Sequence, residues 1–307
     1  MGGVAGVGLS AVQGASGWSE VSSPTAKTLY EVVRTDNGPY AVGGSGTVIH
    51  RTSSGWEMPI SDGPSGNNKT LLGAAVTDDG ARLWMAGKSG VLGEYDVTTG
   101  TLTDWSQPNG TSNVFYDVEV TGSVDNERVH LTMGSGMTLY GKRQSNGEFA
   151  WETKDTGGSY TITAVDFHTK SDGRVVSDGG NVYETQSTSD GGWKWVEIGI
   201  EEAVNPLFDI VSEPNHAYIG GDNGQIWRGD YDCALWTPHS AGSKGVQALV
   251  RRNGVFLGAG DSGRVFEREG SFNRWVANET PVGAALLGCA LGDPDIGVGK
   301  SGTIIER

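Results

Sequence analysis

An all-β fold, a ring of seven four-stranded antiparallel blades forming a β-propeller, is predicted for this 307-residue sequence by three observations. Fifty residues are glycine, more than twice the usual share of roughly 7%. A Gly-containing turn flanked by β-forming stretches recurs seven times at nearly constant spacing, the mark of a repeat architecture. The last repeat stops one strand short at the C-terminus, and a lone strand-like stretch stands near the N-terminus.

The turn unit reads YAVGGSGTVIHR at 40–51, LWMAGKSGVLGEY at 83–95, VHLTMGSGMTLYGK at 129–142 and VVSDGGNVYET at 175–185. It continues as AYIGGDNGQIWRG at 217–229, VFLGAGDSGRVFER at 255–268 and DIGVGKSGTIIER at 295–307. Its last turn glycines are Gly46, Gly90, Gly136, Gly180, Gly224, Gly263 and Gly302, at intervals of 44, 46, 44, 44, 39 and 39. A tight connection between two strands demands φ > 0 at one or two positions, which Gly adopts without steric cost and Asn or Asp tolerates. Period-two alternation resumes after the turn, as in QIWR at 225–228.

Each unit is preceded by a short apolar stretch that reads as an innermost strand: LYEVV at 29–33, LLGAAV at 71–76, VFYDVEV at 114–120, ITAVDF at 162–167, LFDIV at 207–211, VQALV at 246–250 and AALLGCAL at 284–291. Six units end in a tryptophan (Trp56, Trp105, Trp151, Trp195, Trp236, Trp275), expected on an outer strand where a large ring covers the space between sheets. Four strands in about 40–45 residues make one propeller blade. The seventh unit lacks its tryptophan, and GWSEV at 17–21 is expected to lend the missing strand and close an otherwise open sheet edge. The propeller thus spans 18–307.

Residues 1–17 carry no charge and six glycines. They resemble the weakly apolar stretch and small-residue end of an export signal, without its basic leader. An extracytoplasmic or cell-surface protein is therefore expected, with a cytoplasmic one as the alternative. The sequons at Asn68, Asn109 and Asn278 fall in expected loops. Cys233 and Cys289 are too few for a disulfide framework or a Cys-rich zinc site and read as separate buried small residues.

The net charge of −15 opposes a nucleic-acid role, which depends on neutralising phosphates. No apolar run reaches the ~18 residues of a membrane helix. An acidic surface with only nine lysines fits a protein of high-salt surroundings, although an ordinary acidic surface shares the trait.

Motifs that mimic chemistry dissolve into the repeat. GAGDSG at 258–263 and GVGKSG at 297–302 spell a dinucleotide fingerprint, but strand rather than helix follows the glycines. The five histidines show no pair at metal-ligand spacing, and no cofactor is expected. Acids on the inner stretches (Glu31, Asp117, Glu119, Asp166, Asp209), with Tyr116 and Tyr160 nearby, keep a glycosidase or polysaccharide lyase open as the enzymatic alternative, because such chemistry gathers carboxylates, or arginines and a tyrosine, at a channel mouth.

GGSGTVIHRTSSGW at 43–56 resembles the BNR-type repeat, and STSDGGW at 187–193 is similar to the Asp-box turn between the two outer strands of such blades. Over 18–307 the chain resembles seven-bladed propellers of the photosystem II assembly and stability factor type and the YVTN/BNR-repeat proteins of haloarchaea. The resemblance is specific for fold and not for function. It implies a non-enzymatic factor docking its partner through an arginine-rich patch, a role not carried over here because only Arg251 and Arg252 adjoin.

Five of the nine lysines belong to loops expected on one propeller face: Lys27, Lys69 and Lys244 before inner strands, Lys88 and Lys300 in turns. With Tyr116, Tyr160 and Phe208 as anchors they form the candidate binding surface, a cationic rim for a protein or anionic glycan. The expected function is a monomeric, non-catalytic binding or assembly scaffold.

Overall fold

The structure, a computed structural model, describes residues 17–200, 203, 205–231, 235–269 and 274–307. These residues form seven four-stranded antiparallel sheets, six of which are simple meanders running from inner to outer strand in sequence order. The inner strands of blades 1 to 7 are Leu29–Thr35, Leu71–Val76, Val118–Thr121, Ile162–Phe167, Leu207–Ser212, Val246–Arg252 and Leu286–Ala290. Among the described residues, helix is confined to three-residue 3-10 turns.

The turn glycines occupy the left-handed region as expected, and in six of the seven turns the preceding residue does so too: φ is 60° at Ser45 and 76° at Gly46, 56° at Asn223 and 70° at Gly224. A second demand was not visible in the sequence. A Cβ on Gly90 would stand 2.5 Å from the Thr111 carbonyl oxygen, and one on Gly224 2.5 Å from that of Gly242, both in the connection to the following blade. At Gly302 the obstructing carbonyl is Thr25, just ahead of blade 1. Glycine therefore recurs because the turn must curl left-handed and because it touches the backbone leading to the next blade.

Closure follows the expected route. In the last blade the order is Ser19–Glu20, Ile304–Glu306, Ile296–Gly299, Leu286–Ala290, with Ser19 opposite Glu306 and Glu20 opposite Ile305. Trp18 is fully buried among Leu257, Ala259 and Val265 of blade 6 and Leu286 and Ile305 of blade 7. Over its ring lies the Arg307 guanidinium, 4.8 Å from the centroid, which also pairs with Glu267 of blade 6 at 2.6 Å and Asp295 of blade 7 at 3.0 Å. On the other flank Glu306 accepts hydrogen bonds from Arg51 at 2.9 and 3.1 Å and from Trp56 Nε1 at 2.8 Å, tying blade 7 to blade 1.

Trp18 thus does for blade 7 what the outer tryptophans do elsewhere. Trp195 Nε1 donates to Thr138 of blade 3 and Trp236 Nε1 to the Ile198 carbonyl of blade 4, each reaching to the preceding blade. Trp105 departs from this pattern. It follows a three-residue outer strand, Leu102–Asp104, and meets Phe149 of blade 3 edge-on at 5.2 Å. Asn278 also corrects an expectation: it lies in the outer strand Arg274–Glu279, opposite Val265, and its Nδ2 donates to Glu267, because the strand runs through the stretch read as loop. The other two sequon asparagines, Asn68 and Asn109, are exposed outside the strands. Residues 1–16 and Cys233 lie outside the described residues.

Truncating Trp18 to alanine removes a fully buried ring from the closing seam, and such changes cost about 3–5 kcal/mol. Chemical denaturation of Trp18→Ala is expected to show that loss, with increased self-association at low denaturant as the edge of the last sheet opens.

Candidate functional site

In six blades the inner strand carries a bulge at its first turn. The residues skipped by the pairing are Tyr30, Leu72, Thr163, Phe208, Gln247 and Leu287. Blade 3 has Tyr116 in that place, where the Thr132 carbonyl accepts the Tyr116 N–H and the Thr132 N–H donates to the Asp117 carbonyl. A bulge re-aims a side chain away from the pleat. All seven are partly or well exposed, in contrast to the buried residues just before them. They form a largely apolar collar around one end of the channel, and the Phe208 ring edge lies 3.5 Å from where a Cβ on Gly245 of blade 6 would stand.

The next residue in each blade continues along the inner segment, and in four blades (Glu31, Asp117, Asp209 and Ala248) it lines a cavity of about 260 Å³ on the ring axis. Around the ring these residues are Glu31, Gly73, Asp117, Ala164, Asp209, Ala248 and Gly288, so acids alternate with small residues from blade 1 to blade 6. The alternation has a steric cause. A Cβ on Gly73 would lie 2.8 Å from Asp117 Cα, and one on Gly288 2.8 Å from Glu31 Cα. It also has a bonding cause. Asp117 accepts the N–H of Val118 at 2.8 Å and, across the seam, that of Val165 at 2.9 Å. Asp209 repeats the device with Ile210 at 2.7 Å and Leu249 at 2.6 Å. One layer deeper, Asp166 accepts the Ser212 N–H of blade 5.

Burial pushes the Asp117 carboxyl up to about 7 against the pull of its two amide bonds, and the Asp209 carboxyl up to about 8 with help from the Asp117 charge. Desolvation likewise raises Asp166 to about 6, and lifts Glu31 and Glu119 well above the usual range with added repulsion from neighbouring acids. All five inner-strand acids are therefore gathered in one channel. The three aspartates use carboxyl oxygens to fasten one blade to the next, which is a structural use of the group. Cys289 lines the same cavity, its thiol directed at the Leu257 carbonyl. His130, fully buried and stacked on Phe167 at 3.7 Å, is held far below its ordinary value by burial and serves as core. Among the described residues no group of three or more His, Cys, Asp or Glu is arranged to hold a metal ion.

The five lysines lie on the collar side. In most blades the N–H of the turn's first residue bonds the carbonyl just ahead of that blade's inner strand: Gly44 to Thr28, Lys88 to Thr70, Asp178 to Thr161, Asp222 to Pro206, Asp261 to Gly245 and Lys300 to Ala285. Turn and incoming connection therefore share one spot per blade at the channel mouth. Lys300 marks blade 7, Lys27 blade 1, and Lys69 with Lys88 blade 2; all are exposed and none has an ion pair among the described residues. Lys244 stands apart on blade 6, next to the Asp261 turn. Asp178 and Asp222 hold the same spots on blades 4 and 5. The lysines thus form an arc over blades 7, 1 and 2, faced by an acidic arc across the mouth. Tyr116 and Tyr160 are 38% and 54% exposed, and Tyr160 lies flat over Gly179 beside Asp178.

Sequence reasoning missed Tyr30, Leu72, Thr163, Gln247 and Leu287 of the collar and the acid–small alternation beneath it. Both become visible when the inner segments are aligned on their first apolar core residue, as LYE, LLG, FYD, ITA, LFD, VQA and LLG.

The channel acids make stability depend on pH. Above the ordinary carboxyl value of ~4, the folded chain keeps a proton on Asp117 up to about 7 and on Asp209 up to about 8 that the unfolded chain has released. Stability is therefore greatest toward the acid end of this window and falls as pH rises through it. Denaturation at about pH 5.5 and pH 9 is expected to show the higher midpoint at pH 5.5, with a smaller difference in Asp209→Asn. Gly73→Ala, which forces a methyl group against Asp117, is expected to cost about 1–3 kcal/mol in the same assay.

No protein-family model and no curated protein matches the sequence. Solved structures do match its fold. The WD40 β-propeller domain of Doa1 superposes with a TM-score of 0.74 at 12% identity, covering 95% of this chain and 97% of that one. YCF48 bound to a D1 peptide gives 0.70 at 14% identity, covering 94% of each chain, and YCF48 from Cyanidioschyzon merolae gives 0.68 at 15%, covering 94% and 98%. The chain is a seven-bladed β-propeller, similar in architecture to WD40 domains and to YCF48.

Proposed function

We propose that this propeller is a non-catalytic scaffold that docks a partner protein on its collar face. The observation that carries the reading is the coincidence, on one face, of the half-exposed apolar collar with unpaired lysines and exposed tyrosines. Large rings with a polar tip are the usual anchors of such surfaces, and charges around them set approach and register. The solved YCF48 complex supports the reading by likeness, since a propeller of this shape is seen there with a peptide. The channel acids favour a scaffold over a glycosidase, because Asp117 and Asp209 spend both carboxylate oxygens on backbone amides of adjoining blades. Within this reading the chain works as a monomer outside the cytoplasm.

The test uses the immobilised chain, a collar-face variant (Tyr116→Ala, Phe208→Ala, Lys69→Glu, Lys88→Glu) and an opposite-face control, Val255→Ser, which alters a residue 57% exposed at the start of the second strand of blade 6, beside the far end of the inner strand. Proteins retained by the native chain and the control are expected to be depleted about tenfold or more by the collar-face variant, since losing one anchor costs about 2 kcal/mol or more. Equal retention by all three would place docking elsewhere.

A further inference from the structure

The spot shared by turn and connection varies in charge around the ring. Around the ring it is positive at Lys300 of blade 7 and Lys27 of blade 1, doubly positive at Lys69 and Lys88 of blade 2, and uncharged at Gly134 of blade 3. It is negative at Asp178 of blade 4 and Asp222 of blade 5, and balanced where Lys244 adjoins Asp261 of blade 6. The two arcs lie on opposite sides of the apolar collar, and neither is neutralised by an ion pair among the described residues. The net charge of −15 does not foretell this split, since it says nothing of where the few lysines gather.

We infer that the collar face seats an extended segment of a partner protein in a single orientation, with an acidic stretch over blades 7, 1 and 2, apolar side chains over the collar and a basic stretch over blades 4 and 5. The inference rests on the docking reading and adds the chemistry and polarity of the partner. Complementary potentials govern encounter and register, and like charges brought together penalise the wrong alignment. Reversing the segment would set its acids against Asp178 and Asp222 and its bases against Lys69 and Lys88, losing both attractions at once. A sulfated or carboxylated glycan fits less well: it is anionic along its whole length, so half of it would meet the acidic arc, and it offers no apolar centre.

Three synthetic peptides sharing a Leu-Trp-Leu centre test this, one flanked by acidic and basic tracts, one by acidic tracts only, one by basic tracts only. Binding is read by fluorescence anisotropy, and a photo-crosslinker on the acidic end of the mixed peptide is mapped by mass spectrometry. The mixed peptide is expected to bind about tenfold tighter than either uniform one at low salt. Its crosslinks are expected at residues 25–28, 64–70 or 300–302. The variant Lys69→Asp, Lys88→Asp, Lys300→Asp should lose that preference. Adding Asp178→Lys and Asp222→Lys, which exchanges the arcs, should restore it with the crosslinks moved to blades 4 and 5. Thermal melts confirm that each variant folds, and Asp178→Asn with Asp222→Asn, which keep a side-chain acceptor, should abolish the preference if the lysine substitutions do not fold.

Crosslinks spread over both arcs, or equal binding of all three peptides, would overturn the orientation while leaving docking to be judged by the collar-face variant. Binding by none of the peptides overturns the charge code itself. A heparin oligosaccharide that displaces the mixed peptide and binds more tightly than it would overturn the protein assignment.

Discussion

Six of the seven sheets are built from consecutive chain, but the seventh is complete only when Ser19 and Glu20 pair with the strand that ends at Glu306. Bringing those ends together closes a loop that contains nearly the whole molecule, and that entropy is recovered only through contacts made at closure. Trp18 buried between blades 6 and 7, Arg307 above it, and Glu306 holding Arg51 and Trp56 are those contacts. Everything on the axis depends on them. An open arc of blades would leave the inner strands wet, and neither the collar nor the channel would exist as a surface.

Inside the closed ring, crowding determines which residues the axis accepts. Seven inner strands converge, so glycine or alanine must stand beside each acid, as Gly73 does beside Asp117 and Gly288 beside Glu31. The acids in turn satisfy amide groups that the bulge and the seam leave without ladder partners, a role that buried backbone polar groups require of some acceptor. Five carboxyls in one desolvated space raise one another's proton affinity, so the ring is fastened by groups whose charge is itself marginal near neutral pH. Hydrogen bonds from the amides and repulsion among the acids oppose each other here, and burial tips the balance toward the protonated form.

The collar face shows how a repeat becomes specific. The backbone places turn and connection at equivalent spots in successive blades, so the spots are interchangeable as structure and free to differ in charge. Lysine on one side and aspartate on the other therefore record nothing about folding. Their segregation into two arcs is a property of the surface, and a surface with an apolar centre between opposite charges distinguishes the two ends of whatever crosses it.

Much of the architecture was legible because it is periodic and local. A left-handed turn needs glycine wherever it occurs, inner strands announce themselves as short apolar runs, and a unit lacking its tryptophan points to Trp18 at the other end of the chain. Asn278 and Trp105 escaped because a residue or two more or less of outer strand leaves no mark in composition. Blade number, strand order and the closing pair follow from spacing and residue type along the chain. Closing the ring is what makes the inner-strand acids share one cavity and bridge its seams, sets Lys244 beside Asp261 away from the other four lysines, and joins Tyr30, Leu72 and Leu287 to Tyr116 and Phe208 in a collar. Those relations run around the ring between residues some forty positions apart, and proximity of that kind exists only once the ring has closed.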